Sequence, residues 1–251
     1  PIQQNLTNTQ KQILANAGND FSKMFSNSAY EDVYSDSRIL YKKQLVGSTE
    51  TFEYSTDKND ELYNVAFTFI GVNKGDYSLD RTIAIGNIYI YAGVNLGNYN
   101  PIIRLVAPSK YQVMAFNSTY TSKKTSVFGE IAISNNDANL FSSIDDSQNS
   151  GAATKVNWKQ LFIDSDWKFS TDLGYEYVHQ NFATEQRFTN VEFNRDWNII
   201  NLTGNRNLFN LLFKLNNKKS SYDYGINLMS YAANYSGIKH DFKSEVQLKK
   251  T

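Results

Sequence analysis

The chain has 251 residues, with 25 Lys and Arg against 25 Asp and Glu, so its formal charge is zero. It has no cysteine and only 2 histidines, His179 and His240, which excludes thiolate metal sites, disulfide scaffolds and cysteine nucleophiles. The balanced charge speaks against the basic stripe of a nucleic-acid-binding domain, and no apolar run approaches the roughly 20 residues of a transmembrane helix.

With 17 Tyr, 16 Phe and only 3 Pro, the chain has an aromatic-rich, Asn-rich, proline-poor composition, typical of β proteins of bacterial envelopes. It opens on Pro1 without an initiator Met or a basic-then-apolar signal pattern, and so reads as a mature chain or an excised fragment. From Leu6 to Ser26, apolar residues at Ile13, Leu14, Ala17, Phe21, Met24 and Phe25 follow a helical period. Thr7 or Thr9 is the candidate N-cap, and Gly18-Asn19 weakens the middle. The spacing predicts one short helix, or two turns interrupted by a bend.

From about Leu62 the period changes to two. Tyr63, Val65, Phe67 and Phe69 share one face, and Ile83, Ile85, Tyr89 and Tyr91 repeat the pattern. Trp167, Phe169, Leu173, Tyr175 and Tyr177 do so over a longer segment, followed by Tyr222, Tyr224, Ile226 and Leu228, then Ile238, Phe242, Val246 and Leu248. Such alternation predicts long antiparallel strands with one wet face, including weaker ones around Arg104 and Val191. Turn clusters stand at Gly97-Asn98, Asn135-Asn136-Asp137 and Asn216-Asn217. The expected fold is all-β: long antiparallel strands in an open curved sheet, sandwich or partial barrel, with a short N-terminal helix. The expected division is an N-terminal helical and irregular segment, 1–60, and an antiparallel β domain, 61–251. The Ser142-to-Gly151 stretch reads as a long loop rather than a boundary.

One turn occurs twice. Gly71-Val72-Asn73-Lys74-Gly75-Asp76-Tyr77 recurs as Gly93-Val94-Asn95-Leu96-Gly97-Asn98-Tyr99. The glycines supply positive φ or close backbone approach. Asp76 and Asn98 suit local Asx-turns, and Tyr77 and Tyr99 suit packing over the turn. The competing reading is a small anion or sugar held by exposed glycine amides.

These residues carry a resemblance. Gly71 to Tyr77, entered from the aromatic strand Phe67-Thr68-Phe69-Ile70, resembles the G-x-G-x-G-D-Y turn of large outer-membrane-associated proteins of Bacteroidota, with Asn73 standing at the middle glycine position. Gly97-Asn98-Tyr99-Asn100-Pro101, Arg104 to Pro108, Glu130 to Ser142, Asp145-Asp146 and Gly151 to Lys155 are similar to the blocks that follow it there. That group includes the plug protein of the type IX secretion translocon. The resemblance implies a component that seals the periplasmic mouth of a very large outer-membrane barrel, its partner. It implies a location in the bacterial envelope, at the periplasmic face of the outer membrane or within that membrane. On this reading the interaction surface comprises Gly71, Gly75, Asp76, Tyr77, Gly93, Gly97, Asn98, Tyr99, Asn136, Asp137 and Asn139.

Catalytic signatures are missing: there is no G-x-S-x-G, phosphate-binding Gly-rich loop or H-E-x-x-H. His179, in phase with the apolar face of its strand, reads as packed or interfacial, and His240, among Lys239, Asp241 and Lys243, as a solvated strand end. Glu130 with Asp137, or Asp172 with Glu176, are the carboxylate pairs a glycoside hydrolase would need. Asp137, Asp145 and Asp146 are the oxygen ligands a calcium ion would use, but without EF-hand spacing. No enzyme, cofactor, metal or nucleic-acid partner is expected. Beside the sealing subunit stand two alternatives: an outer-membrane β-barrel segment acting as channel or scaffold, with Tyr and Trp in interface girdles, and a carbohydrate-binding β-sandwich.

Overall fold

The computed structural model describes residues 5–186, 189–200, 202–232 and 234–247. The protein is all-β with a short N-terminal helix, and it divides into two compact units. One unit comprises residues 1–108 and 141–144, the other residues 109–140 and 145–251.

In the first unit, helix α1 (Asn8–Ala17) starts at Thr7, whose hydroxyl accepts the Gln10 amide at 3.2 Å while Gln10 Oε1 accepts the Thr7 amide at 3.0 Å. This reciprocal capping box satisfies two amide donors that lack a helical acceptor. Gly18, at φ 61°, ends the helix, and a 3-10 turn follows at Phe21–Lys23. Leu14 and Ala17 bury one face of α1 against Met24 and Leu105, with Phe141 packed alongside.

The strands of this unit are β1 (Phe25–Asn27), β2 (Tyr30–Glu31), β3 (Tyr41–Val46), β4 (Thr49–Tyr54), β5 (Leu62–Asn64), β6 (Thr68–Phe69), β7 (Tyr77–Ile83), β8 (Gly86–Tyr91), β9 (Tyr99–Asn100) and β10 (Ile102–Arg104). They form two four-stranded sheets, β2-β5-β3-β4 and β6-β9-β7-β8, and a small β1-β10 pair. The four-stranded sheets share an aromatic core of Tyr41, Phe52, Tyr63, Val65 and Tyr77, with Phe67, Tyr89 and Tyr91 packed against it. Tyr41 of one sheet accepts the Tyr89 amide of the other at 3.1 Å, and Tyr77 returns the favour for Phe52 at 2.8 Å. Each buried hydroxyl is thereby satisfied, as burial of a polar group requires.

The second unit is one open sheet of seven strands in sequence order. They are β11 (Lys110–Thr121), β12 (Thr125–Asp137), β13 (Ser150–Asp164), β14 (Lys168–Val178), β15 (Arg206–Asn216), β16 (Ser220–Tyr231) and β17 (Tyr235–Val246). A short helix, α2 (Phe193–Asp196), interrupts the β14–β15 connection.

Several expectations need correction. Residues 1–60 hold four strands, β1 to β4, so they are part of a β unit, and the chain divides after Pro108 rather than at residue 60. The alternating run 62–69 is broken into β5 and β6, and Ile83 ends β7 while Ile85 lies in the two-residue hairpin turn before β8, so the two do not share a strand. Among the described residues no strand forms around Val191, whereas Arg104 does end a strand. Asn135 to Asp137 continue β12 instead of turning, because Asn135 stays paired with Ser150 and the chain reverses only beyond Asp137.

Candidate functional site

The open sheet has two chemically opposite faces, and its register shows them row by row. One row runs Ser118–Gly129–Val156–Tyr175–Phe209–Leu228–Ile238 across all strands from β11 to β17, and the next runs Tyr120–Val127–Trp158–Leu173–Leu211–Ile226–His240. Neither row contains a carboxylate, Lys or Arg. On the other side one row reads Asn117–Glu130–Lys155–Glu176–Leu208–Met229–Gly237, and another Thr121–Ser126–Lys159–Asp172–Leu212–Gly225–Asp241. Opposite charges there stand across from each other, as in the Lys159–Asp172 pair at 3.3 Å. Directly opposed pairs of this kind stabilise a ladder, by about 0.2–1 kcal/mol each.

The apolar face is bare. Phe116 is 73% exposed, Phe242 70% and Ile238 62%. Aromatic rings collect toward the end carrying the short hairpin turns. Trp158 meets Phe162 at 6.4 Å, Phe162 meets Phe169 at 5.8 Å, Phe169 stacks on Phe213 at 6.4 Å, and Trp167 stacks on Tyr222 at 6.4 Å. The register shift between Leu161 and Ile163 places the extra residue, Phe162, in this chain of rings. Toward the other end, the Tyr175 hydroxyl bonds Asn207 Oδ1 at 2.8 Å. His240 is not a solvated strand end: it sits midway along β17 on the apolar face, stacked on Tyr224, with its Nδ1 at 2.9 Å from the Tyr224 hydroxyl. Its neighbours Lys239 and Asp241 point to the opposite face, which is why the local charge misleads.

The polar face is covered at its other end by the β14–β15 connection. The Tyr235 hydroxyl bonds the Trp197 carbonyl, and Trp197 is buried beside Gly237. The backbone of Asn181 and Phe182 lies so close to Gly151 that a Cβ there would meet it at 2.2–2.4 Å, and the Ala183 amide bonds Ser134 Oγ at 2.9 Å. Beneath the connection, Arg206 is buried, paired with Glu176 and set against the Phe193 ring. An open cleft of about 620 Å³ there is lined by His179, Gln180, Asn181, Phe182, Arg206 and Tyr231 among others. His179 follows the last residue of β14 and accepts the Asn181 amide on Nδ1 at 3.2 Å.

The repeated turns meet each other. Gly75 and Gly97 form an antiparallel bridge, with N–O distances of 3.0 and 2.7 Å. The Asn73 amide bonds Asn98 Oδ1 at 3.0 Å, and the Asn95 amide bonds Asp76 Oδ1 at 2.9 Å, so each copy caps the other. Both capped asparagines sit at positive φ, 54° and 56°, a region that Asn tolerates. A Cβ on Gly75 would meet the Tyr99 backbone at 2.5 Å, and one on Gly97 the Tyr77 carbonyl at 2.2 Å. Asp76 and Asn98 therefore serve the partner turn instead of their own. The Tyr77 ring enters the core instead of covering its turn, while Gly71 and Gly93, at φ 126° and 112°, open the turns. The geometry gives these residues a clasp, with Val72, Val94 and Leu96 exposed on its surface.

The other candidates stay apart. Asp137 accepts the Asn139 amide at 3.0 Å, Asn136 donates its amide to the Asn149 carbonyl, and Asn139 is buried. Asp146 accepts the Asn149 side chain at 3.1 Å, and no cluster of three or more acidic or histidine side chains forms among the described residues. Glu130 and Asp137 lie on opposite faces of β12, while Asp172 and Glu176 are each engaged by a cation. The row residues of β15, Leu211 and Phe213, are hidden in the sequence because Leu208 and Leu212 place apolar residues on the polar face and blur the alternation.

No protein-family model, curated protein or solved structure matches the chain.

Proposed function

We propose that the open sheet is part of the wall of an outer-membrane β-barrel, acting as channel or scaffold without catalysis, with its apolar face toward lipid and its charged face toward an aqueous interior. The observation that carries this reading is the two-faced register. Strands of 11 to 15 residues satisfy the spanning length of about 9–11. Even the shortest, 11 residues at about 3.4 Å each and tilted by about 40°, rises roughly 28 Å, which covers an apolar band of about 25 Å. Seven strands at about 4.8 Å give the face an area on the order of 1,000 Å², well above the largest apolar patch of a typical soluble monomer. The ring cluster near the hairpin end matches an interfacial girdle in kind and position. No helix among the described residues is long and apolar enough to cross a membrane, so any crossing would be made by strands.

The test uses Trp158 as a reporter after Trp167→Phe and Trp197→Phe. Refolded into vesicles of brominated-chain lipid, the protein should show strong quenching of Trp158 emission relative to unbrominated vesicles. Equal emission in both would remove the membrane reading. That result would favour the sealing subunit of a large secretion barrel, with the sheet covered by protein. The exposed apolar tips of the clasp, Val72, Val94 and Leu96, suit such docking.

A further inference from the structure

Among the described residues the sheet has two unpaired edges, β11 and β17, and each of the successive pairings from β11 to β17 is antiparallel. With seven strands, the two edge strands therefore run in the same direction. Proteins that leave an edge in water protect it with charge, Pro, bulges or shortness. Strand β11 has none of these between Tyr111 and Thr121: it is 12 residues long, unbroken in register with β12, uncharged after Lys110 and exposed throughout. It is an edge shaped for pairing.

Copies of the same sheet do not supply the missing partner. If copies enter the membrane in one orientation with one face to lipid, β17 of each meets β11 of the next, and the two run parallel. An antiparallel β11–β11 joint needs the second copy upside down, with its loops on the wrong side. Seven strands alone also fall short of the eight of the smallest barrels, and bacterial single-chain barrels have even strand numbers joined antiparallel.

We infer that the wall is completed by a block of strands of another sequence, odd in number, whose terminal strands add antiparallel to β11 and to β17. The chemistry of that block follows from the rows it must continue: apolar and aromatic opposite Met114, Phe116 and Tyr120, polar opposite Asn117 and Thr119. This inference rests on the membrane reading above, and its test separates the two.

Amide hydrogen exchange of β11 and β17 is compared between the protein taken from its native envelope in lipid nanodiscs and the same chain refolded alone in vesicles. The chain's lack of cysteine permits a second arm, single cysteines placed in turn from Val113 to Thr119 and oxidised in the vesicles. The inference expects edge amides to exchange about tenfold or more slowly in the native sample than in the refolded one. It also expects no disulfide-linked dimer. Edge protection in the refolded chain, or a dimer peaking at one position, would show closure by copies and overturn it. Edges that exchange freely in both samples would overturn it too. Failure of the membrane reading shows separately, as unquenched Trp158.

Discussion

At the scale of single residues, the glycines of the twin turns are set by backbone approach. Gly97→Ala places a Cβ 2.2 Å from the Tyr77 carbonyl oxygen, and backbone on both sides leaves no flexible atom to yield. It should destabilise the first unit by about 1–3 kcal/mol or more. Gly129→Ala, with nothing within 4 Å of the added Cβ, should stay within about 1 kcal/mol of the parent. Thermal unfolding followed by near-ultraviolet circular dichroism separates them, and equal midpoints would mean that the clasp does not hold the unit. The buried tyrosines give a second outcome. Burial pushes the hydroxyls of Tyr41 and Tyr77 up to about 12, against the backbone amides of Tyr89 and Phe52 that pull them down. Their folded values lie above the ordinary 10.0, so the folded state holds these protons more tightly than the unfolded chain does. The stability this contributes is complete below pH 10 and disappears as pH rises toward 12. Alkaline titration should therefore show cooperative loss of the first unit's tyrosine dichroism in that window, and a flat response would contradict the burial.

At the scale of elements, one strand tests the two faces. Leu211 and Leu212 are adjacent on β15, yet Leu211 shares its row with Trp158 and Ile226, and Leu212 shares its row with Lys159, Asp172 and Asp241. Leu211→Arg should cost about 2–4 kcal/mol when the chain folds into vesicles, the range for a cation on the lipid face near the midplane. Leu212→Arg should cost about 1 kcal/mol or less, since it meets carboxylates and water. Urea titration of the vesicle-bound protein measures both, and equal costs would mean that the apolar face does not meet lipid. The same strand shows what the sequence could and could not reveal. Where polar residues alternate cleanly, as in Asp172 to Tyr177, the face of each side chain is readable from the period alone. In Arg206 to Asn216 it is not, because leucines occupy both faces. The duplicated turn was visible as a repeat, but two matching segments carry no sign of their mutual direction. The reciprocal capping by Asp76 and Asn98 belongs to the pairing, not to either copy. The early hairpin of β3 and β4 escaped notice because Lys42, Lys43, Glu50 and Glu53 dilute its apolar pattern, and its inward residues Tyr41 and Phe52 are few.

At the scale of the whole molecule, apolar burial is divided unequally. Among the described residues, the buried hydrophobic side chains of the second unit are only Ala132, Trp197 and Met229, whereas the first unit buries Leu14, Met24, Leu40, Tyr41, Phe52, Tyr63 and Tyr77 among others. Burial of apolar surface is the main favourable term in folding, so a long sheet without it gains little from folding in water. On the reading proposed above, its apolar face gains that term from lipid. The mean hydropathy of −0.50 conceals this, because polar and apolar residues alternate along the same strands and cancel in any average. All 3 tryptophans, Trp158, Trp167 and Trp197, lie in the second unit, so their emission reports the sheet, while the most deeply buried tyrosines, Tyr41, Tyr63 and Tyr77, lie in the first and dominate its near-ultraviolet dichroism. Urea unfolding should therefore give two curves. The tyrosine transition of the first unit should keep its midpoint whether or not vesicles are present. The tryptophan transition should move to higher urea with increasing lipid, because a phase that binds only the folded sheet stabilises it by mass action. A tryptophan midpoint indifferent to lipid would mean that the sheet draws its stability from protein contacts, and the apolar face would then be an interface with another polypeptide.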